Sequence, residues 1–185
     1  MNKVKTNLAS FDNSWYKPGK SLLTRLLWYV VNLIFFRSFF PIYSVKSFLL
    51  RLFGAKLGTN VIIKPHVSIK YPWKLVIGDN VWIGEEVWID NLALVTFGNN
   101  SCISQGAMIL CGNHNYKRRS FDLVVGEVTI DEGAWVGAKA TVCPGVKMGS
   151  HSLLTVGSVA TSNLEEYWIY QGNPAKKLKI REIKD

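Results

Sequence analysis

Val128 to Thr161 reads VTIDEGAWVGAKATVCPGVKMGSHSLLTVGSVAT, and from Ile130 onward every sixth residue is apolar: Ile130, Val136, Val142, Met148, Leu154 and Ala160. Four places after each of the first five stands a small or short residue: Ala134, Ala140, Val146, Ser152 or Ser158. The same phase runs backwards through Leu57, Ile63 and Ile69, then Ile77, Ile83 and Ile89, then Phe97, Ile103 and Ile109. Two-residue slips, placed at Leu75-Val76 and Val95-Thr96, separate these triplets. A chain that is 48% hydrophobic would fill all fifteen positions by chance about once in 10^4 to 10^5. Neither a 3.6-residue period nor simple alternation gives this pattern. A step of six returns to one side only when the chain forms flat-sided coils of three short strands.

Each hexad is thus a short strand and a corner. The phase residue points into a narrow prism, and the small residue fits inside the bend. Gly58, Gly78, Gly84, Gly98, Gly137 and Gly149 follow phase residues where the backbone is cramped. Fifteen hexads make about five coils, stacked at roughly 4.8 Å. Spacing alone does not give the handedness.

The segments VWIGEEVWIDN, VTFGNNSCISQGAMILCGNHNY, GAWVGAKATVCPGVKMGS and QGNPAKKLK together resemble the hexapeptide-repeat acyltransferases. The likeness is to the colanic-acid-biosynthesis type of sugar O-acetyltransferase, with galactoside and maltose acetyltransferases as wider relatives. It implies an all-β fold: a left-handed parallel β-helix with N-terminal helices and a short C-terminal cap. The expected division is an N-terminal arm and apolar helices over 1–56, the β-helix over 57–165, and a C-terminal cap and basic tail over 166–185. The resemblance also implies a homotrimer with sites between subunits; the cysteine count, net charge and N-terminal helices add the expectation of a cytoplasmic enzyme that can rest on the inner face of a membrane. Its acceptor would be a sugar or lipid-linked glycan precursor of surface polysaccharide.

Composition narrows the partners. The chain of 185 residues carries a net charge of +9. It has no basic run interleaved with stacking aromatics, so no nucleic-acid partner is expected. Phosphates of a cofactor and an anionic membrane surface fit the charge better. Cys102, Cys111 and Cys143 form an odd, sparse set that argues against a disulfide framework and fits a reducing cytosol.

Met1 to Lys20 reads as a polar, irregular arm. Leu22 to Phe36 and Ile42 to Phe53 read as two helices separated by Pro41, the first too short to span a bilayer. They can cap the open first coil, hiding a strand edge. They can also present Trp28, Tyr29, Phe35, Phe36, Phe39 and Phe40, with Arg25, Arg37, Lys46 and Arg51, to anionic lipid. Both roles are compatible.

Between Ile109 and Ile130 the period fails. Residues 110–127, LCGNHNYKRRSFDLVVGE, must leave the coil, because Lys117, Arg118 and Arg119 would interrupt the phase. A polar excursion from a rigid stack is where function is expected. It opens with Gly112-Asn113-His114. An imidazole can take a proton from a sugar hydroxyl as that oxygen attacks a thioester carbonyl. The resemblance implies the same role, with His114 as catalytic base.

Zinc hydration is a competing reading of three histidines. His66 lies in the first coil, His114 leaves the third and His151 is in the fifth, so neighbouring pairs stand about 10 Å apart along the axis. Zinc needs nitrogens about 2.0 to 2.1 Å from one point, and no metal site is expected. A Cys111 acyl-enzyme is also weighed, but nothing nearby in sequence deprotonates that thiol. Direct transfer is preferred.

The resemblance implies acetyl-CoA as donor. Ala138 and Val156 would offer backbone groups to the pantetheine arm. Thr161 and Ser162 stand where relatives usually have Thr-Lys, which removes one phosphate contact. Lys176 and Lys179 match basic residues placed against the nucleotide phosphates, and Lys177 offers a substitute. Asp90 and Asn91 are candidates to hold a sugar hydroxyl, and equally a turn device. Trp135 is a candidate to stack on a sugar ring or to pack at a subunit seam, as are Trp82 and Trp88. An amino-sugar N-acetyltransferase and an inactive scaffold remain the other functional classes.

Overall fold

The computed structural model describes residues 3–184. Met1, Asn2 and Asp185, the outer ends of the expected arm and tail, lie outside the described residues. From residue 56 onward the chain winds as a left-handed parallel β-helix with three flat faces. Face A stacks Lys56–Leu57, Leu75–Ile77, Val95–Phe97, Val128–Ile130 and Lys147–Met148. Face B stacks Ile62–Ile63, Trp82–Ile83, Cys102–Ile103, Trp135–Val136 and Leu153–Leu154, and adds Trp168–Gly172 as a sixth rung. Face C stacks Ser68–Ile69, Trp88–Asp90, Met108–Leu110, Thr141–Val142 and Val159–Ala160.

The register is the one the phase requires. Leu57 pairs with Ile77, Ile77 with Phe97, Phe97 with Ile130 and Ile130 with Met148. Of the fifteen phase residues only Leu57, at the open end, escapes full burial. Each buried branched aliphatic contributes about 1.5–3 kcal/mol relative to exposure, so the core is a column of such contributions. The small residues at Ala134, Ala140, Val146, Ser152 and Ser158 are buried inside the bends. At Gly137 the bend is so tight that a Cβ would lie 2.7 Å from the Leu154 carbonyl oxygen and the Val156 amide nitrogen.

The slips fall elsewhere than expected. Leu75-Val76 and Val95-Thr96 are regular strand residues in register. The extra residues sit before them, at the corner from face C to face A. There Pro72–Lys74 forms a single 3-10 turn after the first coil, and 91–94 forms a bend after the second. The excursion after the third coil leaves from the same corner. Three successive coils therefore enlarge one edge of the prism. The fourth does not, since Cys143 to Val146 turns the corner without extra residues.

The N-terminal helices close the first coil. α1 (Leu22–Val31) starts on a Ser21 cap and runs into a π-helical turn at Asn32–Phe36; α2 is Tyr43–Leu52. Trp28 Nε1 donates to the Ile69 carbonyl at 2.8 Å, and the Ile69 amide donates to Asn32 Oδ1 at 3.3 Å. Lys46 Nζ donates to the Ile63 and Lys64 carbonyls at 3.1 and 2.9 Å, and Arg51 Nη2 to the Gly58 carbonyl at 2.7 Å. These are backbone groups that a further coil would otherwise satisfy.

The expected lipid-facing set is accordingly corrected. Trp28, Phe36 and Lys46 are buried and Phe35 packs on the core. Tyr29 and Phe39 of that set are exposed, and with them, outside it, stand Leu22, Leu23, Leu26, Leu27, Val30, Leu33 and Ile34. Among the described residues no helix is long and apolar enough to cross a membrane. At the other end, Trp168–Gly172 pairs with Leu153–Leu154, turns at Asn173-Pro174, and returns as Ala175–Ile180 antiparallel to itself.

Candidate active site

The enlarged corner builds the site. Gly112–His114 pairs antiparallel with Leu123–Val125, so the excursion begins and ends as a two-stranded ribbon anchored on the stack. Its anchors are the Cys111 amide, which donates to the Asp90 carbonyl at 3.1 Å, and the Gly126 amide, which donates to the Cys111 carbonyl at 2.9 Å. His114 is the last ribbon residue and pairs with Leu123.

Its ring is fixed on two sides. His114 stacks on Phe121, with centroids 4.4 Å apart and planes 8° from parallel, and Phe11 of the N-terminal arm lies 5.7 Å away, tilted. His114 Nδ1 is 2.9 Å from the Phe121 carbonyl oxygen. A carbonyl can only accept, so Nδ1 carries the proton and Nε2 of the neutral ring keeps its lone pair. Nε2 has no partner among the described residues.

A cleft of about 680 Å³ opens beside this ring. Its walls are the excursion, the corner residues Lys70, Tyr71, Asp90 and Leu92, and the N-terminal arm with Asn13, Ser14 and Tyr16. The arm is held there by hydrogen bonds. The Asn7 amide donates to the Arg119 carbonyl, and Tyr16 hydroxyl donates to the Leu92 carbonyl at 2.7 Å. Lys74 Nζ donates to that same carbonyl at 2.6 Å and to Tyr16 Oη at 3.0 Å. Burial raises the Tyr16 phenol, which keeps its proton to donate, and lowers the Lys74 ammonium from its ordinary pKa; both side chains bind the arm to the stack.

The acceptor candidates separate. Asp90 lines the cleft and forms an ion pair with Lys70 at 2.8 Å. Asn91 does not line it. It is fully buried, its Oδ1 accepts from the Tyr71 amide, and its Nδ2 donates to the Tyr71 and Lys74 carbonyls. Its contacts satisfy the turn-device reading, and the acceptor reading is withdrawn on that ground. Trp135 lies apart, on the outward side of face B, where its Nε1 donates to Ser104 Oγ at 2.8 Å. With Trp82 it borders a separate hollow of about 410 Å³. One protomer therefore does not bring Trp135 to His114.

The donor candidates fall on two edges. Ala138 and Val156 stack at the corner from face B to face C, where the Gly157 amide donates to the Ala138 carbonyl at 2.9 Å. The amides of Ala138 and Val156 themselves donate to no acceptor among the described residues, which suits them to an amide-rich chain such as pantetheine. Thr161 and Ser162 are exposed on the His114 edge, about two coil spacings, or roughly 10 Å, further along. Lys176 and Lys179 are exposed on the returning strand Ala175–Ile180. Lys177 is not free to substitute for them: it pairs with Glu165 Oε2 at 2.6 Å and lies 3.8 Å over the Trp168 ring.

The remaining reactive side chains are elsewhere. Cys111 is fully buried, and burial pushes its thiol up to about 11, away from a thiolate at neutral pH. His66 meets Phe39 and the Arg37 carbonyl, and His151 packs on Tyr167. Sequence reasoning missed Phe11, Tyr16, Arg25, Lys70, Tyr71 and Phe121 at this cleft. Only the polarity of the arm and the aromatic Phe121 within the excursion hinted at them.

No protein-family model matches the chain. Among curated proteins it is 36% identical over 166 residues to the colanic acid biosynthesis acetyltransferase WcaF of Escherichia coli K12, covering 90% of this chain and 91% of that one. It is 27% identical over 143 residues to the galactoside O-acetyltransferase of the same organism, covering 76% and 70%. Among solved structures, a hexapeptide-repeat-containing acetyltransferase from Vibrio cholerae superposes with a TM-score of 0.78 at 21% identity, covering 87% of this chain and 92% of that one. A galactoside acetyltransferase solved with coenzyme A gives 0.77 at 21% identity, covering 86% and 82%. By its identity to WcaF over nearly the whole of both chains, this protein belongs to the hexapeptide-repeat acetyltransferase family.

Proposed function

We propose that this acetyltransferase moves an acetyl group from acetyl-CoA to a hydroxyl of a sugar or lipid-linked glycan precursor of surface polysaccharide, with His114 as general base. The observation that carries the reading is the Nδ1 contact to the Phe121 carbonyl, which leaves Nε2 as a proton acceptor beside the cleft. Nε2 takes the hydroxyl proton as the sugar oxygen bonds to the thioester carbonyl carbon. The carbon–sulfur bond then breaks, and His114 returns the proton to the departing thiolate. Direct transfer is favoured because Cys111 is buried with a raised thiol pKa.

Relatives named for colanic acid biosynthesis and galactoside acetylation support a sugar acceptor, and neighbours solved with acetyl-CoA or coenzyme A support the donor. The unpartnered amides of Ala138 and Val156 would run along the pantetheine arm, with Thr161, Ser162, Lys176 and Lys179 toward the nucleotide end. Ala138 and Val156 sit on a different edge of the prism from His114. A site that uses both edges needs a second copy of the chain, which supports the homotrimer and gives the Trp82 and Trp135 surface a seam to fill.

The test is a mass-spectrometric screen of acetyl-CoA against sugars and lipid-linked glycans, with intact-protein mass taken in the same reactions. The expected result is an acetyl ester on the glycan and unmodified protein. Transfer only to amino sugars would replace the hydroxyl acceptor with an amine. An acetylated protein would replace direct transfer, and a monomer by light scattering that still turns over would remove the shared site.

A further inference from the structure

The cleft at His114 does not end at the corner. A second hollow of about 350 Å³ adjoins it, and the two share Arg25, Lys70, Tyr71 and Asp90. The second hollow continues under α1 to Tyr29 and Arg37. A groove therefore runs from the imidazole, past Arg25, to the outer surface of α1.

Arg25 is the unusual group in this groove. Its Nε is buried and has no hydrogen-bond partner, and its guanidinium forms no ion pair among the described residues. A buried, unpartnered guanidinium nitrogen is expensive unless something else supplies an acceptor. Asp90 does not supply it: its ion pair is to Lys70, through Oδ1 at 2.8 Å, and it makes none to Arg25. Arg25, Lys70 and Arg37 against the single carboxylate of Asp90 leave the groove net positive. Its natural complement is a multivalent oxyanion, which a guanidinium binds through paired N–H donors.

Beyond Arg25 the surface changes character. Leu22, Leu23, Leu26, Tyr29, Val30 and Leu33 of α1 and its following turn are each at least half exposed. Between Asp12 and Asp79 the chain holds ten Lys or Arg residues and no acidic one. An apolar helix face in a purely basic segment complements an anionic lipid surface.

Resting on the acetyl-transfer reading, we propose that the acceptor is an amphiphile whose sugar reaches His114, whose phosphate linkage is held by Arg25 with Lys70, and whose apolar chain leaves along α1 into lipid. The arrangement sets a sequence of sites along one line: proton acceptor, anion clamp, lipid-facing helix. Arg25 is then a specificity-determining residue, because it selects acceptors that carry a phosphate.

The experiment uses the full-length protein and farnesyl diphosphate as a single-chain lipid phosphate, with farnesol and inorganic pyrophosphate as the two halves of that probe. Binding is read by calorimetry for the native protein, Arg25→Ala and Arg25→Lys, with acetyl-CoA titrated in parallel. Farnesyl diphosphate should bind more tightly than either half. Arg25→Ala should weaken it at least tenfold, Arg25→Lys should recover part of that loss, and acetyl-CoA affinity should not change. Equal binding of farnesyl diphosphate by the native protein and Arg25→Ala would overturn the anion clamp. Pyrophosphate binding as tightly as farnesyl diphosphate would overturn the lipid path. Acetyl-CoA affinity falling with Arg25→Ala would assign the guanidinium to the donor and also overturn the proposal. Failure of the native protein to bind acetyl-CoA is a separate result against acetyl transfer, since the farnesyl diphosphate titration does not depend on it.

Discussion

Two corners of the same prism behave in opposite ways. The bend from face B to face C keeps its six-residue step in every coil, down to a glycine such as Gly137 whose Cβ would meet backbone atoms. The bend from face C to face A is enlarged after each of the first three coils, and gathers the ribbon, the N-terminal arm and His114. A repeat stack draws its stability from nearest-neighbour contacts, so it tolerates extra chain wherever that chain leaves the column intact. On the proposed function, chemistry collects at the corner that was released from the repeat.

The sharpest way to break this comparison is at His114. His114→Ala should lower the transfer rate by about 10^2- to 10^4-fold while the protein's unfolding midpoint and its acetyl-CoA affinity stay near their native values. Steady-state kinetics, thermal unfolding and calorimetry on one preparation check all three. A matching change on the column should do the reverse. Ile103→Ala, at a fully buried phase position, should cost about 2–5 kcal/mol of stability by denaturant titration, with turnover of the folded fraction retained. If both variants lose rate and stability together, the two corners are not separable.

Smaller effects sharpen the boundary. Asn91→Ala removes an amide that serves two backbone carbonyls and one backbone amide, and should cost about 1–3 kcal/mol of stability. Any loss of rate should appear only through a looser cleft, as a raised acceptor KM. If transfer is direct, as proposed, Cys111→Ala should leave turnover unchanged, since the thiol is buried and its pKa raised.

A pH dependence marks the capped end. Burial pushes the Lys46 ammonium down from 10.5 to about 8. Between about pH 8 and 10.5 the unfolded chain holds a proton that the folded chain has released, so stability should rise with pH across that window. Urea unfolding at several pH values should show this slope in the native protein and a flatter one in Lys46→Met.

The column was legible because its signal is local and repeated. Fifteen apolar positions in step left few other folds, and the break at 110–127 marked the excursion that carries His114. What was not legible depends on contacts between distant segments. Nothing in the arm announces that Phe11 reaches the His114 ring, or that Tyr16 reaches the Leu92 carbonyl 76 residues away. Lys46 read as a lipid-facing cation because sequence does not distinguish a solvated lysine from one that caps two carbonyls. The slips were misplaced for a related reason. A two-residue insertion shifts the phase identically wherever it falls within the connection, and only the pairing of Leu75 with Val95 locates it at the corner.

The capping helices carry a consequence for assembly. Identical coils could in principle continue without limit, and an uncovered first rung offers the same backbone groups as the last one. Two such molecules would meet head to tail, by a contact that does not close on itself, and so grow into a filament. Lys46, Trp28, Asn32 and Arg51 occupy those groups at one end, and the returning strand Ala175–Ile180 borders face B at the other, its exposed lysines discouraging a further strand. The short helices thus act as chain terminators in the polymer sense: they set the length of a structure whose repeat has no intrinsic end.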